Sequence, residues 1–246
     1  MIKPYYQDPS CTIYNCDWRE VVNQFEDNYF DLTITSPPYN LYKKWWSGGK
    51  VKIFKRMEDK FNYHWYDDEL PEGEYQKQQK ELIENCLRIS HLVGYNHKVR
   101  YAFKRAGRSF HPMEWLLGFP LWVEVIWDRG GGTAINCRRP VMSDERIYFL
   151  GKPDYYYQVP GSTTIWKIFP AAAGYDHPCP FPEELPRRAI ESFAAPGSRV
   201  FDPYCGTGTT LRAAKDLGRR SVGCDTVEKY CEIAANRLKQ EVMNLS

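Results

Sequence analysis

Along this chain the spacing of hydrophobic and polar positions switches repeatedly between a period of two and a period near four. Leu121, Val123, Val125 and Trp127 alternate with Trp122, Glu124 and Ile126, the pattern of a strand. Residues 145–150 predict its partner strand, reached through the glycine triplet at 130–132. Residues 11–15 and 31–35 predict two short strands bounded by polar residues. Residues 74–91 predict a helix, with Leu82, Ile83, Cys86, Leu87 and Ile89 at helical spacing, and residues 99–103 a further strand. The last third is the most regular. A helix opened by Pro186 runs to 194, followed by a strand at 199–204 and a helix at 209–217 that stops at Gly218. A strand at 221–225 then leads to an amphipathic helix at 227–242, with Tyr230, Ile233, Ala234, Arg237 and Leu238 on neighbouring faces. Strands alternating with helices predict an α/β fold with a mostly parallel sheet covered on both faces.

Residues 40–73 break this rhythm. They contain Gly48-Gly49, many charges and no clean period, which predicts a long insert. The total net charge of +2 says little, but its distribution says more. Lys43, Lys44, Lys50, Lys52, Lys55, Arg56 and Lys60 interleave with Tyr42, Trp45, Trp46, Phe54 and Phe61. Basic side chains among aromatic ones suit a phosphate backbone and unstacked bases, although a solvated loop would have the same composition. At 246 residues the chain is expected to form a single domain. Its eight cysteines form no CxxC pair and predict reduced thiols, and no Cys/His cluster predicts a metal. No apolar run is long enough to cross a membrane, and Met1-Ile2-Lys3-Pro4 does not resemble a signal peptide, so a soluble, unexported protein is expected.

Two short stretches carry the chemistry. Val200-Phe201-Asp202 ends a strand, and Gly206 and Gly208 follow at once. So tight a turn needs residues that tolerate unusual backbone angles and lets a ligand approach the main chain. Asp225 closes the next strand, the position of an acid that accepts bonds from ribose hydroxyls. A dinucleotide fingerprint would place a third glycine where Leu211 stands, and a phosphate loop would need Gly-Lys-Ser/Thr; both are excluded. The second stretch, Thr35-Ser36-Pro37-Pro38-Tyr39, lies far upstream.

With Thr35-Ser36-Pro37-Pro38-Tyr39 first and Asp202-Pro203-Tyr204-Cys205-Gly206-Thr207-Gly208-Thr209 last, the chain resembles the permuted β group of DNA amino-methyltransferases. The serine points to its N4-cytosine members. The match covers roughly residues 11–40, 74–152 and 177–240. The resemblance implies a Rossmann-like S-adenosylmethionine-dependent methyltransferase fold. Its sheet would be mostly parallel and seven-stranded, with helices on both faces, in one domain (1–246) carrying the insert 41–73. It also implies S-adenosylmethionine as cofactor, held by the 202–209 turn, with Asp202 at the methionine part and Asp225 at the ribose. Asp17, in an acidic turn, would lie near the adenine, and His177, Pro178, Phe181 and Pro182 would close over the methionine end. Ser36 and the Pro37 carbonyl would accept the two protons of an exocyclic amine, Pro38 would stiffen the backbone, and Tyr39 would stack on a flipped base. A Cys179 nucleophile, as in C5-methyltransferases, fits poorly beside Ser-Pro-Pro-Tyr.

The substrate so implied is double-stranded DNA, methylated at N4 of cytosine, with N6 of adenine as the alternative and a non-catalytic DNA-binding protein as the second. The group's recognition region normally follows the central strand pair, but here that segment, 153–176, is short. Contact with DNA is therefore expected from residues 41–66, including Lys43, Lys44, Lys50 and Lys52, with Arg129, Arg138 and Arg139. The resembled group is bacterial, archaeal or viral. A cytoplasmic, nucleoid-associated monomer or homodimer is expected, with a companion restriction endonuclease as a possible partner and no membrane.

Overall fold

The computed structural model describes residues 2–40, 70–101, 108–131, 140–151, 158, 162–170 and 182–240. Lys43, Lys44, Lys50, Lys52, Arg138, Arg139, His177, Pro178 and Phe181 lie outside them, as do most of the 41–73 and 153–176 segments. The strands are β1 (Tyr6–Gln7), β2 (Cys11–Tyr14), β3 (Phe30–Thr35), β4 (Ser90–His97), β5 (Leu121–Asp128), β6 (Asp144–Gly151), β7 (Ile165–Lys167), β8 (Arg199–Asp202) and β9 (Arg220–Cys224). The helices are α1 (Trp18–Val22), α2 (Glu72–Ile89), α3 (Met113–Leu116), α4 (Glu184–Phe193), α5 (Thr209–Asp216) and α6 (Glu228–Lys239).

The strands form one sheet in the order β1-β2-β9-β8-β3-β4-β6-β5-β7. Parallel pairings join β2 to β9, β9 to β8, β8 to β3, β3 to β4, and β5 to β7. Antiparallel pairings join β1 to β2, β4 to β6 and β6 to β5. The sheet is mostly parallel, as expected, but among the described residues it has nine strands rather than seven. β1 and β7 lie at the two edges of the sheet and are two and three residues long, too short to show a period in sequence.

Alternation along the central strands sends side chains to two cores. Val93 and Tyr95 of β4 with Tyr148 and Leu150 of β6 pack against α1, α2 and α3. Leu92 of β4 with Ile147 and Phe149 of β6 pack against α4 and α5 on the other face. α2 docks through the stripe Tyr75, Gln79, Leu82, Ile83, Cys86 and Ile89, and acidic Glu72 and Glu74 in its first turn complement its dipole. In α4, Pro186 is the third residue instead of the first. The first four amides of a helix have no intrahelical acceptor, so proline costs no hydrogen bond there.

The strand expected at 99–103 is displaced. The chain passes from α2 straight into β4 at Ser90, whose backbone is already extended (φ −133°, ψ 145°). Near position 100 the described chain makes only an isolated bridge, Arg100 to Phe110. β4 is buried along nearly its whole length, so its sequence lacks the two-residue alternation that would separate it from the helix before it.

Candidate active site

β3 and β8 are neighbours, with Leu32 opposite Val200 and Thr33 opposite Phe201. They run parallel, so the two motifs at their C-terminal ends open on the same side of the sheet. From this pair the chain order proceeds outward in opposite directions, through β4 on one side and β9 on the other. Such a reversal leaves a crevice outside the strand ends, the usual ligand position in an open α/β sheet.

On the β8 side the main chain folds back on itself. Asp202 Oδ1 accepts from the Tyr204 amide at 3.1 Å, and the Gly208 amide donates to the Cys205 carbonyl at 2.8 Å. Gly206 and Gly208 both have positive φ, 49° and 79°. A Cβ on Gly208 would stand 2.8 Å from the Ala234 Cβ, so this glycine lets α5 start against α6. The positive φ values are the unusual backbone angles expected from sequence, and close packing against α6 is a further demand at Gly208. Asp225 is buried, with one carboxylate oxygen accepting from the Gly206 amide (3.1 Å) and the other from the Val227 amide (2.8 Å). Asn15 donates to the Asp225 carbonyl at 3.0 Å. Arg237 ties the same turn from α6, donating to the Thr207 carbonyl (2.8 Å) and to Thr209 Oγ1 (3.1 Å). Tyr204 accepts from the Trp18 indole at 3.0 Å. Asp17 caps α1 by accepting from the Arg19 amide at 2.9 Å.

Asp202 is the electrostatic outlier. Burial pushes its carboxyl up to about 7, the Asp225 charge adds to the rise, and Thr210 and the Tyr204 amide pull the other way. Among the described residues no basic side chain forms an ion pair with this carboxyl. The thiols of Cys205 and Cys224, both buried beside it, are raised well above their usual range by the same desolvation, which leaves them unreactive.

On the β3 side, Ser36 and Tyr39 enter a shared polar network. Ser36 Oγ donates to Asn96 Oδ1 at 3.0 Å and lies 2.9 Å from the Tyr39 hydroxyl. The Tyr39 hydroxyl also lies 2.5 Å from Asn96 Oδ1 and 2.9 Å from Glu145 Oε2. Asn96 donates through Nδ2 to the Arg146 carbonyl, which fixes the direction of its Oδ1. Arg129 pairs with the other oxygen of Glu145 at 2.9 Å. Asn96 Oδ1 can only accept, so the network draws the hydroxyl protons inward, and Ser36 Oγ retains lone-pair capacity for an outside donor. Tyr39 sits with its ring 4.6 Å from that of His97 and 5.1 Å from the Lys98 ammonium. Pro37 is buried under the motif. Immediately after it, Asn40 (φ 53°, buried) accepts from the Leu70 amide at 2.8 Å and donates to the Leu70 carbonyl at 2.9 Å. These two bonds tie the ends of the 41–69 insert together beside Tyr39.

The structure thus gathers the 202–209 turn, Asp225 and Asp17 at one part of the crevice, and residues 36–39 at another. Arg129, expected on the DNA, is joined to Glu145 in the wall of the site. Pro182 stands just before α4 and is buried. Asn96 was not anticipated from sequence. Its signal was the polar pair Asn96-His97 closing an apolar run, which the misplaced strand boundary concealed.

The family model for N6/N4 DNA methylases matches residues 30–236. The Type II methyltransferase M.ScaI of Streptomyces caespitosus is 24% identical over 283 residues, spanning 99% of this chain and 86% of its own length. Among solved structures, the cytosine-N4-specific PvuII DNA methyltransferase superposes with a TM-score of 0.77 at 18% identity, covering 100% of this chain and 91% of the other. The complex of M1.HpyAVI with S-adenosylmethionine superposes with a TM-score of 0.61 at 19% identity, covering 94% and 100%. Both structural likenesses bear on the fold alone. With the family match spanning both motifs, the chain belongs to the N6/N4 DNA methylases.

Proposed function

We propose that this DNA methyltransferase acts on N4 of cytosine in double-stranded DNA, with residues 36–39 gripping the amine. The observation that carries the reading is Ser36, a neutral hydroxyl set between Tyr39 and Asn96 just past the end of β3, the neighbour of the strand that leads into the glycine turn. The lone pair of an aromatic amine is delocalised into its ring. Ser36 Oγ and the Pro37 carbonyl accept its two protons, which favours a tetrahedral nitrogen with its lone pair free. The target base must first leave the duplex. The acceleration comes from orientation and preorganised polar groups. In this reading the enzyme protects DNA against a companion endonuclease.

The cofactor is S-adenosylmethionine, and the chain's own residues fit it. Gly206 and Asp225 form a preset backbone cradle, and the buried Asp202 carboxyl is suited to a cationic ammonium. When bound, the cofactor supplies an electrophilic methyl group on a sulfonium. Asp202 and the turn hold its methionine part, Asp225 its ribose, and Asp17 lies toward its adenine.

The test is to incubate the protein with S-adenosylmethionine and unmethylated DNA, digest to nucleosides and identify the product by mass spectrometry. N4-methylcytosine is the expected result. N6-methyladenine would keep the fold and cofactor and overturn the reading of Ser36. No methylated base would favour a non-catalytic DNA-binding role.

A second expectation concerns pH. Asp202 holds its proton to about pH 7 in the unloaded protein. A cationic ammonium favours the carboxylate, so cofactor affinity should rise with pH up to about 7 and level off above it, with proton release on binding below about pH 7. For folding the sign runs the other way. The folded chain binds this proton more tightly than the unfolded chain, so unloaded stability declines as pH rises from about 4 through about 7. Calorimetry in two buffers of different ionisation enthalpy measures the release. A pH-independent affinity with no proton released would sink the assignment, and Asp202→Asn should abolish the dependence.

A further inference from the structure

Behind residues 36–39 lies a second polar unit. Tyr75, in the first turn of α2, is buried and donates its hydroxyl to the Pro38 carbonyl at 2.9 Å. The same hydroxyl lies 2.6 Å from His97 Nε2 at the end of β4. His97 Nδ1 lies 2.8 Å from the Lys98 carbonyl. A carbonyl can only accept, so Nδ1 carries the ring proton and Nε2 is an acceptor. One phenolic proton therefore serves two acceptors, Pro38 O and His97 Nε2. His97 is fully buried and packs against the rings of Tyr39 (4.6 Å), Trp115 (5.0 Å) and Tyr95 (5.7 Å).

We infer that Tyr75 and His97 are positioning residues for methyl transfer: they hold the Pro38 carbonyl from behind and the Tyr39 ring from the side. The two prolines have fixed φ and transmit the hold. Fixing the plane of the Pro38–Tyr39 peptide fixes where the Pro37 carbonyl and Ser36 Oγ point. A small rotation of that peptide would move both acceptors away from the amine while leaving the glycine turn untouched. The inference rests on the assignment of residues 36–39 as the amine site.

Tyr75→Phe removes only the hydroxyl and keeps the ring. The expected result is a single-turnover rate reduced about tenfold or more, with the KM for S-adenosylmethionine unchanged. His97→Gln, which can still accept from Tyr75, should retain most of the rate, and His97→Leu should fall to the level of Tyr75→Phe. The double variant Tyr75→Phe/His97→Leu should be no worse than either single one, because both break the same unit. Melting temperatures and rates per folded molecule, taken on the same samples, separate positioning from bulk destabilisation. A Tyr75→Phe rate equal to the parent's, or a loss seen only in melting temperature, overturns the inference. Ser36→Ala measured alongside keeps the two ideas distinct: an inactive Ser36→Ala with a fully active Tyr75→Phe rejects the positioning pair alone, whereas an active Ser36→Ala rejects the amine site itself.

Discussion

Ser36→Ala is expected to slow methyl transfer by about 10²–10³-fold, the scale on which removal of one preorganised polar group acts in other enzymes. Affinity for S-adenosylmethionine should not change, because no Ser36 contact reaches the 202–209 turn among the described residues. The effect has two parts. The amine loses one of its two acceptors, and Asn96 Oδ1 loses a donor it faces in the intact site. The Tyr39 hydroxyl, still placed between Asn96 and Glu145, keeps the loop in place, so the variant should fold as the parent does. Single-turnover kinetics with saturating DNA, paired with calorimetric cofactor binding, read the two quantities separately. A rate within about threefold of the parent's would remove Ser36 from the chemistry, since general acid–base or polar contacts of this kind contribute far more.

The two halves of this site were legible in sequence to different degrees. The glycine turn is a local demand: positive φ at Gly206 and Gly208, a strand before and a helix after, all between Arg199 and Asp216. Short-range periodicity finds such a unit. Ser36 and Tyr39 also declare themselves by residue type. Their partners do not. Asn96 reaches Ser36 across β3 and β4, and Glu145 reaches Tyr39 from β6, two strands away from β3. No period in the chain encodes which strands become neighbours. β4 was hidden for a related reason. Buried on both faces, it carries Leu92, Val93 and Tyr95 without polar alternation and continues directly from the apolar stripe of α2. Starting the strand at 99 instead of 90 moved Asn96 and His97 out of the site and into an apparent connection. The adjacency of β3 and β8, which makes one crevice of two motifs separated by most of the chain, is likewise a property of the sheet order.

Gly208→Ala is expected to be the most damaging single-methyl change in the cofactor turn, and its cause can be divided. Two separate demands meet at this position. Its φ of 79° is strained for any residue with a Cβ, and that Cβ would lie 2.8 Å from the Ala234 Cβ and 3.1 Å from its Cα. The strain costs about 1–2 kcal/mol, and forcing a methyl into packed helices costs about 1–3 kcal/mol more. A melting temperature lower by roughly 4–20 °C follows for a chain of this size, with weakened cofactor binding as the turn shifts. Gly218 supplies the internal comparison. Its φ is 70°, but a Cβ there meets nothing within 4 Å, so Gly218→Ala reports the strain alone. Ala234→Gly supplies the converse: in the double variant with Gly208→Ala the 2.8 Å contact is removed, while the 3.1 Å approach to the Cα of residue 234 and the backbone strain remain. Ala234→Gly alone should cost about 1 kcal/mol as a glycine inside a helix. Combined with Gly208→Ala it should cost less than the sum, because contacting residues couple by about 0.5–3 kcal/mol. Additive losses would mean that α5 and α6 separate freely and that Gly208 is required for its backbone angle only. A coupled rescue that restores stability and cofactor binding together would show that the packing of α6 on the turn, set 26 residues beyond Gly208 in the chain, shapes the cofactor cradle.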